Sequence, residues 1–241
     1  MSTFSAFQNI LPDPTNTIGN AGQVAGTAAE GFASVQITSD QPTLRDRTNS
    51  GRLLARAIVG HKWKINIKYN KLTREQFDII YTFLIHRRGS VNPFFVALPQ
   101  YSVPKNSAFA TYSASNSLEA GGQVAAGVSS VLIGKTGYSS SNGAPTPGDL
   151  FTISSANSNH KKAYMVSRVE TNADYLAGTA QPGSNQVRIH FTPGLSKLIG
   201  SGDDFVFHNP LVRVVSVSDS LQYSLDNNNL YSFSLNLEEA Q

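Results

Sequence analysis

Two stretches of strict alternation, near opposite ends of the sequence, most constrain what this chain folds into. In the first, Trp63, Ile65, Ile67 and Tyr69 alternate with Lys62, Lys64, Asn66 and Lys68. A period of two over eight residues places the apolar side chains on one face and the basic ones on the other, as in an antiparallel strand with one wet side. In the second, Leu221, Tyr223 and Leu225 alternate with Gln222 and Ser224, and Tyr231, Phe233, Leu235 and Leu237 alternate with Ser232, Ser234 and Asn236. Asp226-Asn-Asn-Asn229 between them reads as a hairpin turn. A hairpin with one apolar face needs a sheet to share it. The 62–69 strand is the partner the sequence offers, so a first domain is predicted to be split by an inserted second one.

The segment after the first strand predicts a helix over 73–88. Thr73 and Gln76 form a capping box, with Leu72 and Phe77 as its hydrophobic staple. Glu75 and Asp78 lie where the helix dipole favours anions. Phe77, Ile80, Tyr81 and Leu84 recur at helical spacing, Arg87 and Arg88 close the last turn, and Gly89 is a natural left-handed stop. Leu53–Val59 and Phe94–Leu98 read as strands, and Thr43–Gly51 as a polar loop. Near Pro104 the texture changes: 105–147 is rich in Ser, Ala, Gly and Asn, broken by a strand-like Val128–Ile133. The turn Pro147-Gly148-Asp149 then leads into Leu150–Ile153, Ala163–Val166, Val187 to Phe191 and Phe205–Phe207. Short strands with turn chemistry between them predict a small antiparallel sheet or barrel. The expected organisation is an extended arm over 1–40, which holds too few core formers to order itself alone, a β-domain with one packed helix over 41–104 plus 208–241, and an inserted β-domain over 105–207.

Charged residues make up only 15% of the chain, against about 25% in an average soluble domain, and neutral polar residues take their place. That balance suits β-structure and protein–protein surfaces. The chain has no cysteine, which excludes disulfides, zinc ribbons and thiol catalysis. No apolar run approaches the length of a membrane span, and the first residues have no signal-peptide pattern. His61, His86, His160, His190 and His208 stand in unrelated contexts without metal-ligand spacing. No phosphate-binding, nucleophile-elbow or zinc-protease motif is present. Asp203-Asp204 reads as a turn, and Asp226–Asn229 lacks the Gly and terminal Glu of a calcium loop. The expectation is a protein with no catalytic residue, cofactor or metal, and not an enzyme.

Charge is unevenly spread. Residues 45–88 hold eleven Lys/Arg and three acids, a net +8, and the remainder nets −5. Nucleic acid is one reading of such a segment, but no aromatic–basic interleaving or helix-turn-helix spacing accompanies it. The favoured reading is a solvated or partner-facing surface that meets neighbouring subunits electrostatically, with Lys62, Lys64, Lys68, Arg87 and Arg88 as the candidate subunit-interface residues.

The order of motifs carries further information. Arg47-Thr-Asn-Ser-Gly-Arg52, Gly60-His-Lys-Trp63, Leu72-Thr-Arg-Glu-Gln-Phe77, Phe83-Leu-Ile-His-Arg-Arg-Gly89 and Phe94-Phe95 follow one another in a way that resembles the opening of tailed-bacteriophage distal tail proteins. Pro147-Gly-Asp149-Leu-Phe-Thr-Ile153, Lys162-Ala-Tyr164-Met-Val166, Val187-Arg-Ile189-His-Phe191-Thr-Pro193 and Tyr231–Glu239 look like the rest of that pattern. The resemblance runs from about 45 to 239 and leaves out the arm and most of 105–147. It implies a mainly β fold: a tail-tube-like antiparallel β-sandwich with one packed helix, interrupted by an inserted small β-barrel or sheet domain. It also implies a structural virion protein of the phage tail, assembled in the host cytoplasm. Such a protein forms a sixfold ring (a homo-hexamer) at the distal end of the tail tube, linking the tail tube protein to baseplate hub and tail fibre or wedge proteins, with no membrane and no specific nucleic acid as partner. The alternative is a carbohydrate- or fibre-binding adaptor module of the tail.

Overall fold

The computed structural model describes residues 10–12, 32–57, 60–154 and 162–240. The chain is mainly β and divides into two compact units, one running up to Val96 and resuming over Arg213–Ala240, the other Ala97–Val212.

Strands are numbered in chain order. The first unit contains β1 (Phe32–Asp40), β2 (Thr43–Arg47), β3 (Leu53–Ala57), β4 (Lys62–Tyr69), helix α1 (Arg74–Arg87) and β5 (Phe94–Ala97), and later β12 (Leu211–Ser216), β13 (Tyr223–Leu225) and β14 (Tyr231–Glu239). Its main sheet has the order β1-β4-β14-β12-β5, with β13 paired to β14 beside this path. The alternation in the sequence sets the register. Ile67 of β4 lies opposite Leu235 of β14 and Ile65 opposite Leu237, so the apolar residues of both strands share one face. Trp63, Ile65, Ile67, Tyr69, Phe233, Leu235 and Leu237 are all buried.

Helix α1 covers that face. Its cap is as predicted: the Thr73 N–H donates to Gln76 Oε1 at 3.0 Å, and Phe77 stacks on Tyr231 and meets Phe233 edge-on. The stop comes one residue earlier than the sequence suggests. Arg88 (φ 55°) already adopts the left-handed conformation and Gly89 (φ 62°) continues it, because the Arg88 N–H closes on the Ile85 carbonyl.

Three further differences from the sequence expectations concern this unit. Thr43–Arg47, expected as a loop, is strand β2, paired with β3 in a two-stranded ribbon. The end of the expected 1–40 arm, where Val35 and Ile37 read as the beginning of a strand, is strand β1, which starts at Phe32 and pairs with β4 along its length. Near the start of the chain, Leu11 is buried and its N–H donates to the Phe95 carbonyl at 2.7 Å, so residues 10–12 cover the outer edge of β5. Positions 1–9 and 13–31 of the expected arm lie outside the described residues. Finally, the β13 half of the C-terminal hairpin is not buried. Tyr223 and Leu225 are exposed, although the Tyr223 ring lies on Phe77 and Tyr231.

The second unit contains helix α2 (Ser107–Ser113), β6 (Leu118–Ala120), β7 (Ser130–Gly134), β8 (Leu150–Ser154), β9 (Ala163–Glu170), β10 (Gln186–Thr192) and β11 (Asp204–Val206). Its six strands close into a barrel in the order β10-β7-β6-β11-β8-β9, which leaves no free sheet edge within the unit. Phe151 fills the interior, with its ring within 5.5 Å of those of Tyr164, Phe191, Phe205 and Phe207.

The Pro147-Gly148-Asp149 turn that opens β8 is fixed by one carboxylate. Asp149 is 4% exposed; its Oδ2 accepts from the Thr146 N–H (2.7 Å) and hydroxyl (3.1 Å), and its Oδ1 from the Lys105 N–H (3.2 Å). Gly148 takes φ 89°, and an added Cβ would stand 2.6 Å from Lys105 Nζ. Helix α2, absent from the sequence expectations, is a two-turn helix capped by Asn106, whose side chain accepts from the Phe109 N–H.

Candidate interaction surface

The predicted interface lysines lie on the outer face of β4. Lys62 forms an ion pair with Glu238 of β14, and Lys64 one with Asp40 of β1 at 2.6 Å. The hydrogen bond and charge of Lys64 hold the Asp40 carboxyl below its ordinary range, and Asp40 in turn raises the Lys64 ammonium. Lys68 is exposed and makes no salt bridge among the described residues. Arg87 and Arg88 stand apart from these on the end of α1. The Arg87 guanidinium lies 4.7 Å from the Phe83 ring centroid, and burial pushes its pKa down; Arg88 is exposed.

The charge asymmetry therefore has a local resolution. The inserted segment 105–207 carries seven basic and six acidic residues, so it is not the acidic counterpart of the basic strand. Acids that balance Lys62 and Lys64 sit on flanking strands of the same sheet, where register brings together residues 176 positions apart. Along the chain these acids fall outside the 45–88 window, which is why the window looked unbalanced.

Two other features of the first unit present unspent interaction capacity. One is the β2–β3 ribbon. Every side chain described in it is exposed, with Leu44 61%, Leu53 56% and Leu54 50% accessible. The register puts Arg47 beside Leu53 on one face and Leu44 beside Arg56, then Asp46 beside Leu54, on the other. Both faces thus mix apolar and charged groups, and neither is covered. An isolated two-stranded ribbon is marginal in water. The other is the outer edge of β1, the last strand of its sheet among the described residues. It has nine residues, no proline and one charge, Asp40. Such an edge is a template for pairing with another chain.

Among the described residues no group of three or more His, Asp or Glu could hold a metal ion. Asp203 is used in its turn, accepting from the Gly200 N–H at 2.8 Å. Asp226 closes the hairpin by accepting from the Asn228 and Leu230 N–H groups, and its Lys71 partner keeps its carboxyl low. His61 packs edge-on to Trp63 and bonds Ser39. His160 lies outside the described residues.

One cluster escaped the sequence reading. Glu170, fully buried at the end of β9, meets Arg188 (3.1 Å), His190 (3.0 Å) and Arg168 (3.6 Å). Its position directly opposite Arg188 across the β9–β10 pair explains the meeting. Burial raises the Glu170 carboxyl, yet hydrogen bonds from His190 and Arg188 outweigh it and hold it below its ordinary range. A carboxylate with its oxygens engaged in this way ties β9 to β10.

The comparisons agree with a protein that works through its surfaces. Residues 11–101 match the family model for the N-terminal part of the distal tail protein pb9 A domain, a stretch containing the ribbon, β4 and α1. The resemblance read from the sequence therefore holds, and with it the class: a structural component of the phage virion tail. Among curated proteins the chain is similar to distal tail protein pb9 of Escherichia phage T5, at 26% identity over 217 residues, covering 87% of this chain and 92% of that protein. No helix is long and apolar enough to cross a membrane among the described residues.

Proposed function

We propose that the chain is a ring-forming subunit at the distal end of the tail tube, joining copies of itself, in a sixfold ring, and linking the tube to hub and fibre components. The role is structural and involves no catalysis. The observation that carries this reading is the β2–β3 ribbon: three leucines at least half exposed, on a strand pair whose described side chains are all exposed. Burying the exposed half of each of those leucines against a neighbouring copy contributes about 1 kcal/mol or a little more. The open edge of β1 supports the same reading, because closed rotational symmetry gives every such edge a partner. Of the candidate interface cations, Lys68 and Arg88 are exposed and make no salt bridge among the described residues, and they are the ones proposed to face a neighbour. Lys62, Lys64 and Arg87 are proposed to shape that surface through the contacts they already make.

The test is the mass of the purified protein in solution, with electron microscopy of the same sample. The expected result is a ring of about 155 kDa, six copies of a 25.9 kDa chain, which the double substitution Leu53→Ser with Leu54→Ser converts to monomer without loss of fold. A wild-type protein that stays monomeric at high concentration, or a ring that the double substitution leaves intact, refutes the reading.

A further inference from the structure

The second unit holds a concavity lined by none of the residues proposed above to join copies. About 330 Å³ in volume, it lies between the segment that follows β7 and the two ends of the β9–β10 connection. Ligand sites run over roughly 300–1,000 Å³, so this one suits a small ligand. Its lining includes Tyr138, Ala144, Asn172, Ala173, Ser184 and Gln186, and no charged side chain.

The walls are braced by their own hydrogen bonds. Tyr138 donates its hydroxyl to the Gly143 carbonyl at 2.5 Å, and burial pushes the phenol pKa up to about 12, so it remains a donor. Asn172 Nδ2 donates to the Pro182 carbonyl (2.8 Å), and Gln181 Nε2 to the Asn172 carbonyl (2.7 Å). The Gly183 N–H donates to Gln186 Oε1 (3.3 Å). This bracing holds the connection in place before any ligand arrives.

It also leaves polar groups unspent. Gln186 Nε2, Asn172 Oδ1 and the Ser184 hydroxyl have no hydrogen-bond partner among the described residues. Donors and acceptors are therefore presented together with a tyrosine and small apolar side chains, and no charge. That chemistry selects a neutral polyhydroxyl ligand: an anion would find no cation, and a purely apolar ligand would strand the amides. We propose that this concavity binds one uncharged sugar unit of a glycan, a recognition role separate from the structural one.

The test titrates the full-length chain, in separate experiments, with glucose, galactose, mannose and N-acetylglucosamine, and with glucuronate as the charged control. Ligand-observed saturation-transfer NMR reads binding per chain, so the outcome does not depend on whether a ring forms. Two variants probe the site: Gln186→Ala removes the free amide, and Ala173→Trp fills the space from an exposed rim position. Their urea midpoints check that they remain folded. The expected result is saturable millimolar binding of at least one neutral sugar, weakened about tenfold by Gln186→Ala, in keeping with one lost hydrogen bond, abolished by Ala173→Trp, and not matched by glucuronate. Absence of saturation by all four neutral sugars overturns the proposal. So does binding that survives Ala173→Trp, or glucuronate binding at least as well as the neutral sugars.

Discussion

Asp149 offers the sharpest test of how the second unit is held together. Replacing it by Ala removes the acceptor for two backbone N–H groups and one hydroxyl. The Thr146 N–H, 2.7 Å from the carboxylate, loses its partner in a half-buried turn, at a cost of about 1–3 kcal/mol. The Lys105 N–H is bound more loosely at 3.2 Å and lies nearer solvent, so its loss adds about 1 kcal/mol, and the Thr146 hydroxyl adds less because it can rotate towards water. Asp149→Ala is therefore expected to cost about 3 kcal/mol. For a chain of this size that lowers the melting temperature by about 6–12 °C. Asp149→Asn keeps the shape and one acceptor oxygen, and is expected to cost about half as much. Differential scanning calorimetry of the two variants beside the wild type reads both numbers. The chain's one tryptophan, Trp63, lies in the other unit, so the check that the variants start folded is the far-ultraviolet circular dichroism spectrum at low temperature, which should match the wild type. A loss below 1 kcal/mol in Asp149→Ala, or equal losses in the two variants, would refute the claim that this carboxylate fastens the turn.

Other outcomes follow from the same contacts. Phe151→Ala, which empties the barrel interior between four aromatic rings, should destabilise by about 3–5 kcal/mol in urea unfolding. Gln76→Ala, which removes the acceptor for the Thr73 N–H, should cost about 1 kcal/mol, measured the same way. Glu170 is held below its ordinary carboxyl range when folded, so its contribution is fully present above the unfolded value near 4.5 and is lost as the pH falls through the lower folded value. Urea midpoints taken from neutral pH down to pH 3 should therefore decline, and decline less steeply in Glu170→Gln. Asp40 and Asp226 shift in the same direction and add to the slope.

Half-buried strands announced themselves because burial of one face forces a period of two. Residues 62–69 and 231–237 carry that pattern, and their pairing was legible because two one-sided sheets need each other. Helix α1 was legible because Thr73, Gln76, Leu72 and Phe77 agree on where it starts. Elements without a buried face stayed hidden. Thr43–Arg47 is exposed throughout, so no alternation marks it as a strand, and the ribbon that became the main candidate surface was read only by half. Helix α2 has a single fully buried residue, Phe109, with Asn106 as its sole signal. β6 is three residues long. The basic face of β4 could be read from the lysines, but not its neutralisation, since Asp40 and Glu238 become neighbours only through register. Glu170 escaped for the same reason: its hydrogen-bond partners, Arg188 and His190, lie on the next strand, about twenty positions away in the chain.

The placement of β14 bears on the order in which this protein takes shape. It is an interior strand of its sheet, lying between β4 and β12, yet it is formed from residues 231–239. During synthesis β4 therefore emerges long before the neighbour that shields it, whereas the contiguous 97–212 unit has all its strands available much sooner. The barrel can settle on the ribosome while the other sheet waits. A truncated polypeptide ending before residue 231 would leave the β4 flank bare, inviting premature self-association, so competence to assemble waits on residues 231–239.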